Sequence, residues 1–188
     1  MESEPLKCLV RTVEQASEVT FTDSHKFMHG TATSLHELRP RLRRNFANSA
    51  FTCSTFNNGP RAVTLPHRDV LNLAFGICAV YASGDYDADL GGHLILWDLK
   101  VIIRFPPGCT LIFPSALIRH SNIPIQGHEV RRSFTLFQPG HLSRWVYNKG
   151  ATDKERHQHF TRADWEKYAD DAHLRVQNAL KMFPIIPR

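Results

Sequence analysis

The chain is poor in cysteine: four residues among 188, Cys8, Cys53, Cys78 and Cys109, with no CxxC pair. Neither a disulfide framework nor a paired-cysteine metal site is signalled, and the pattern fits thiols kept reduced inside a cell. Cys78 and Cys109 fall in apolar stretches and are expected in the core. No run of 18 apolar residues occurs, so no transmembrane helix is expected. The opening MESEPLKCLVRTVEQ is charged and lacks an apolar stretch of signal-peptide length. Internal repeats and low-complexity tracts are absent too. Acidic residues are outnumbered, 18 against 23 Lys and Arg, giving a formal net charge of +5 and a pI of about 9.2. That balance is compatible with a polyanionic partner without requiring one.

What is present is enough apolar residue, 42% of the chain, to build a core. The length suits one domain, 1–188, read as N-terminal strands or a helix over 1–50, a core over 51–140 and a helical extension over 141–188. Val10–Val13 and Glu18–Phe21 read as short strands. Leu35, Leu38, Leu42 and Phe46 have helical spacing, with Ser34 and Glu37 in capping-box relation and Pro40 as an interruption. Arg39, Arg41, Arg43 and Arg44 crowd this segment, either as a solvated face or as a phosphate-contacting patch. Strands are expected at 51–56, from Ala62 to His67, at 71–81, 93–97, 101–105, 109–114, 117–120 and 130–138, with a loop at 83–87. Many short strands about ten residues apart argue for a barrel or sandwich. Thr161 to Met182 reads as a helix capped by Thr161, with Trp165, Tyr168, Ala172, Leu174 and Leu180 packed on the sheet.

The chemistry concentrates between His67 and Ser133. On a strand, His67 and Asp69 would face one side, placing an imidazole beside a carboxylate. His120, about fifty residues on, supplies a second imidazole from a distant strand. Two histidines and one carboxylate on one face of a metal leave the opposite positions open, the set that suits non-haem Fe(II) and O2 chemistry. Eleven residues after His120 comes Arg131, and two further on Ser133. A guanidinium fork and a hydroxyl together can hold a carboxylate, as binding of 2-oxoglutarate beside iron requires. Arg131, Ser133, Thr135 and Phe137 share one strand face and Arg132, Phe134 and Leu136 the other. An inward Arg131 demands an anion; the alternative places Arg132 inward and Arg131 at the surface.

Further motifs join these: Asn57-Asn58-Gly59-Pro60-Arg61, Pro66-His67-Arg68-Asp69 with Asn72, Gly91-Gly92-His93-Leu94, and Leu96-Trp97-Asp98-Leu99. They continue with Phe105-Pro106-Pro107-Gly108, Pro114-Ser115-Ala116, His120-Ser121-Asn122, Glu129 to Thr135 and Arg144-Trp145-Val146. Over residues 45–150 the combination resembles the TET/JBP family of Fe(II)- and 2-oxoglutarate-dependent nucleic acid oxygenases, most of all the TET-like proteins of mushroom-forming fungi.

The resemblance implies a mainly β fold with flanking helices, built on a double-stranded β-helix, or jelly-roll. It implies His67, Asp69 and His120 as iron ligands and catalytic centre, and Arg131 and Ser133 as the holders of 2-oxoglutarate, with His93 near that cosubstrate. It implies Asn72, with Arg68 beside it, in contact with the substrate base. The implied partner is methylated DNA, as a duplex with the target base flipped out, and the implied location the nucleus. A monomer is expected, and the sequence points to no particular protein partner. 5-Methylcytosine would pass to its hydroxymethyl, formyl and carboxyl forms; N6-methyladenine would be demethylated, and RNA or a non-nucleic-acid substrate is a further alternative. The cysteine-rich region of animal members, which helps bind their DNA, is missing, as is their large low-complexity insert. The chain therefore reads as a stripped catalytic core, with DNA contacts left to loops, the Arg39–Arg44 segment or the last helix.

Overall fold

The computed structural model describes residues 3–183. Two helices come first, α1 (Glu4–Thr20) and α2 (Thr22–Leu38). The β-branched clusters at 10–13 and 18–21, read as strands, lie in or against α1. Its buried Val10, Val13 and Ser17 follow helical spacing, and burying that stripe outweighs β propensity. Ser34 is not a cap but lies inside α2. The helix stops at Leu38 because Arg39, ahead of Pro40, is held out of the helical region at φ −136°, ψ 74°. Leu42 is exposed beyond it.

Seven strands follow: β1 (Cys53–Asn57), β2 (Cys78–Asp85), β3 (Leu94–Leu96), β4 (Val101–Ile103), β5 (Thr110–Phe113), β6 (His120–Asn122) and β7 (Val130–Phe137). They form two antiparallel sheets, a larger one in the order β1-β7-β2-β5 and a smaller one in the order β4-β3-β6. The strand pattern argued for a barrel or sandwich, and the two antiparallel sheets form the jelly-roll core that the resemblance implied. The strand expected from Ala62 to His67 is not continuous; residues 61–69 hold isolated pairings, Arg61 with Arg131 and His67 with His120. β2 begins at Cys78, not at Leu71, and runs through the expected loop to Asp85. It does so because Gly84, at φ +125°, lies opposite Arg131 where a Cβ would stand 2.1 Å from the Val130 carbonyl oxygen.

The two faces of β7 divide the molecule. Phe134 and Leu136 point back into a core with Val10, Val13 and Met28, so the helices close the rear of the larger sheet. A second core of Ala82, Leu94, Leu96, Phe105 and Phe113 joins the two sheets. Cys78 is buried, but Cys109 is exposed, directly after the Pro106–Gly108 turn.

The chain ends in α3 (Gly140–Tyr147), α4 (Asp153–His157) and α5 (Arg162–Leu180). Thr161 caps α5 in a capping box with Asp164. The expected packing of α5 on the sheet does not occur. Its Trp165 and Tyr168 meet His157 and Phe160 instead, and Leu174 and Leu180 are exposed. The physical reason is that α1 and α2 already occupy the sheet's outer face. None of the described helices is long and apolar enough to cross a membrane.

Candidate metal and anion site

Between the sheets opens a cavity of about 670 Å³, whose lining includes His67, Asp69 and His120 together with Arg131 and Ser133. β6 presents His120. The loop carrying His67 is stitched to it by a reciprocal pair of backbone bonds, His67 N–H to His120 O at 3.0 Å and His120 N–H to His67 O at 2.9 Å. Asp69 is fixed by its own N–H to Ser115 O at 3.1 Å.

One potential ligand atom from each of the three residues lies within 4.8 Å of the others. His67 Nε2 is 3.4 Å from Asp69 Oδ1, and His120 Nε2 is 3.9 Å from Asp69 Oδ2. The opposite ring nitrogens are engaged by backbone carbonyls, His67 Nδ1 with Leu65 O at 2.7 Å and His120 Nδ1 with Ile118 O at 2.9 Å. A carbonyl only accepts, so both Nδ1 atoms carry the proton and both Nε2 lone pairs face the carboxylate. Burial, reinforced by the neighbouring His67, holds His120 below the ordinary histidine range and so in its neutral, ligating form. Two imidazoles and a carboxylate, oriented by outer bonds, form a donor set that fits a divalent first-row metal.

Asn72, which also lines the cavity, donates to Asp69 Oδ2 at 3.4 Å and to Ser115 Oγ at 3.3 Å. Its amide thus steadies the carboxylate and leaves its carbonyl oxygen for another partner.

Of the two adjacent arginines on β7, Arg131 is only 2% exposed while Arg132 is exposed. One Arg131 nitrogen, Nη1, donates to Ala62 O at 2.8 Å, and the Tyr86 hydroxyl lies alongside. Its Nε is buried with no partner. Burial pulls this guanidinium below its usual range, yet arginine stays charged, so a buried cation here has a donor left for an anion. Ser133, also buried, receives a 2.9 Å bond from Asn57 Nδ2. These residues fit a carboxylate.

Two sequence candidates lie elsewhere. His93 is not among the cavity-lining residues; its successor Leu94 turns inward, so alternation sends His93 to the other face. Arg68 lies outside the lining as well. Its guanidinium pairs with Asp98 at 3.0 and 3.1 Å and donates to Leu117 O at 2.9 Å. Asn57, Arg61, Tyr86 and Asn122 acquire site roles that sequence spacing did not reveal. Asn122 Oδ1 accepts from Thr64 N at 2.8 Å and Thr64 Oγ1 at 2.9 Å, clipping the strap of cavity-lining residues 57–64 to β6.

No family model and no curated protein matches the chain. Among solved structures, NgTET1 in complex with 5mC DNA aligns at 21% identity over 49% of this chain and 35% of that chain, with TM-score 0.43. The viral collagen prolyl hydroxylase of Paramecium Bursaria Chlorella virus-1, in its 2OG complex, aligns at 14% identity over 46% of this chain and 60% of that one, with TM-score 0.34. The chain spans about a third of the first and three-fifths of the second.

Proposed function

We propose that the chain is an Fe(II)- and 2-oxoglutarate-dependent dioxygenase that oxidises methylated bases in DNA, 5-methylcytosine foremost. The observation that carries this is the pairing, within one cavity, of a His67–Asp69–His120 ligand set with a buried Arg131 whose Nε lacks a partner. His67, Asp69 and His120 would leave positions on a bound metal for further ligands, and with the unmatched buried Arg131 in the same cavity they suit an anion that would also ligate that metal.

His67, Asp69 and His120 would hold the iron, while Arg131 and Ser133 would hold the far carboxylate of 2-oxoglutarate. Bound together with O2, iron supplies an oxidant able to hydroxylate an unactivated methyl group. One oxygen atom ends in succinate, released with CO2, and the other in the new hydroxymethyl group. The chain's own part is placement. The two Nδ1–H bonds lock the imidazole tautomers, Asn72 steadies Asp69, and the strap tied by Asn122 lines the site. Asn72's free carbonyl oxygen can accept from the exocyclic amino group of an extruded base. Phe137, on the cavity side of β7, offers a ring to stack on. Such a substrate would put the protein at work in the nucleus, where a monomer suffices.

The test is a nucleoside digest by mass spectrometry, after incubation with Fe(II), ascorbate, 2-oxoglutarate and duplexes carrying either 5-methylcytosine or N6-methyladenine. Hydroxymethyl-, formyl- or carboxylcytosine with matching succinate is the expected result. Loss of N6-methyladenine alone would make the protein a demethylase. Iron bound with neither base altered would overturn the DNA reading and point to RNA or a non-nucleic-acid substrate.

A further inference from the structure

The strap carries a second arginine. Arg61 lines the cavity beside Arg131, to which it is bridged in parallel: Arg131 N–H donates to Pro60 O at 2.7 Å and Ala62 N–H to Arg131 O at 3.0 Å. The two differ in every other respect. Arg131 is buried and partly bonded, whereas Arg61 is exposed, and no bond to its guanidinium is found among the described residues. Arg61 also extends to the turn before β7, its Nη1 being 3.9 Å from where a Cβ on Gly127 would stand. The far carboxylate of a dicarboxylate already has Arg131 and Ser133, and its other end would go to the metal. Neither end calls for Arg61.

Around the metal ligands the surface is unexpectedly apolar. Leu65, two residues before His67, is 82% exposed; Val70 and Leu71, directly after Asp69, are each 76% exposed; and Val63 lines the cavity at 50% exposed. Bulky aliphatic residues in such positions mark a contact surface. Their combination with one free cation and a net charge of +5 matches the chemistry of a nucleotide strand, apolar on its sugars and base faces and anionic at its phosphates.

We infer that Arg61 with Val63, Leu65, Val70 and Leu71 forms the lip that receives the substrate strand, Arg61 contacting a phosphate beside the extruded nucleotide and the aliphatic side chains contacting its sugars and bases. This rests on the DNA reading above and adds to it the residues that grip the strand.

The two components respond differently to salt. A phosphate contact releases counterions, so its loss flattens the dependence of log K on log salt; loss of an apolar contact does not. Binding of a fluorescein-labelled 5-methylcytosine duplex to the full chain is measured by anisotropy over a series of NaCl concentrations. Arg61→Gln is expected to lower the salt slope by about 1 and to weaken binding, with Arg61→Lys recovering most of the slope. Leu65→Ser is expected to weaken binding by a similar factor at every salt concentration, giving a parallel line. Lys26→Gln, the same charge change on exposed α2, serves as the comparison. Equal slopes for Arg61→Gln and Lys26→Gln overturn the inference. So does a rise in the KM for 2-oxoglutarate in Arg61→Gln in place of weaker DNA binding, which would assign Arg61 to the cosubstrate. If the unsubstituted protein shows no salt-dependent DNA binding, the DNA reading itself falls, and the lip with it.

Discussion

Arg68 stands between two proposed metal ligands and pairs with Asp98, whose Oδ2 also accepts the backbone N–H of Arg119, next to the third ligand, at 2.6 Å. One carboxylate thus ties the His67–Asp69 loop to the strand that brings His120. Asp98→Asn keeps the size but loses the charge that Arg68 needs. Supporting bonds of this kind alter metal affinity by about 10- to 100-fold, and a weakening of about 10-fold is expected for this exposed pair, measured by anaerobic titration with Fe(II). The Arg119 N–H, with Arg68 adding to it, holds the Asp98 carboxyl below its usual range. A lowered carboxylate contributes its support above the unfolded-state pKa and loses it as pH falls through the folded-state value. Asp98→Asn should therefore differ from the unsubstituted protein at neutral pH and converge with it in acid. Unchanged iron affinity would sever the link between Asp98 and the site.

Asn57 and Ser133 face each other across β1 and β7. Because the Asn57 amide donates to Ser133 Oγ, the serine's own proton is free to point at a carboxylate. Asn57→Asp reverses this polarity: the carboxylate would take the serine proton and add a repelling charge. The KM for 2-oxoglutarate should rise more in Asn57→Asp than in Asn57→Ala, by about 10-fold, the weight of one charge-assisted hydrogen bond. Equal effects of the two would mean that Asn57 acts only through packing.

The opposite faces of β7 give the sharpest contrast. Arg131→Ala removes the buried cation and should raise the 2-oxoglutarate requirement by about 100-fold, in line with a bond to a charged group. Arg132→Ala, on the exposed side, should leave it close to its original value. Steady-state kinetics following succinate decide the point, and the reverse order would mean that Arg131 is a structural cation.

These contrasts show which parts of the molecule were legible in its sequence. Alternation along β7 was enough to set Arg131 and Arg132 on opposite faces, because a strand's period is fixed by the backbone. His67, Asp69 and His120 could be grouped from residue type and order, and the fold brings the three side chains together. The N-terminal helices were not legible: local β propensity at Val10–Val13 competed with a helical stripe whose value depends on the sheet it covers. The same coverage displaced α5, an outcome that no property of Thr161–Met182 contains. His93 and Arg68 lie outside the cavity lining for a related reason. Adjacency in a motif does not say which way a side chain turns, and Asp98, which captures Arg68, lies thirty residues away.

The remaining prediction concerns stability and begins in the helices. Glu14 of α1 accepts from His25 Nε2 of α2 at 2.7 Å, from Ser49 Oγ at 2.5 Å and from the Ala50 N–H at 3.1 Å. The side chains of Glu14 and His25 are 17% and 11% exposed, so water replaces little of what a substitution removes. One carboxylate therefore joins both helices to the segment entering β1, the strand that pairs with the Arg131-bearing β7. Glu14→Gln turns an amide N–H toward groups that themselves donate, leaving at least one nearly buried donor unmatched. The cost is expected to be about 2 kcal/mol, a fall in Tm of roughly 4–8 °C for a chain of this length. Glu4→Gln, which breaks only the exposed pair with Lys7, should barely move the transition. If thermal denaturation gives the two variants the same Tm, Glu14 does not fasten the helices to the sheet, and the support of β1 must come from the apolar core around Met28 and Phe51.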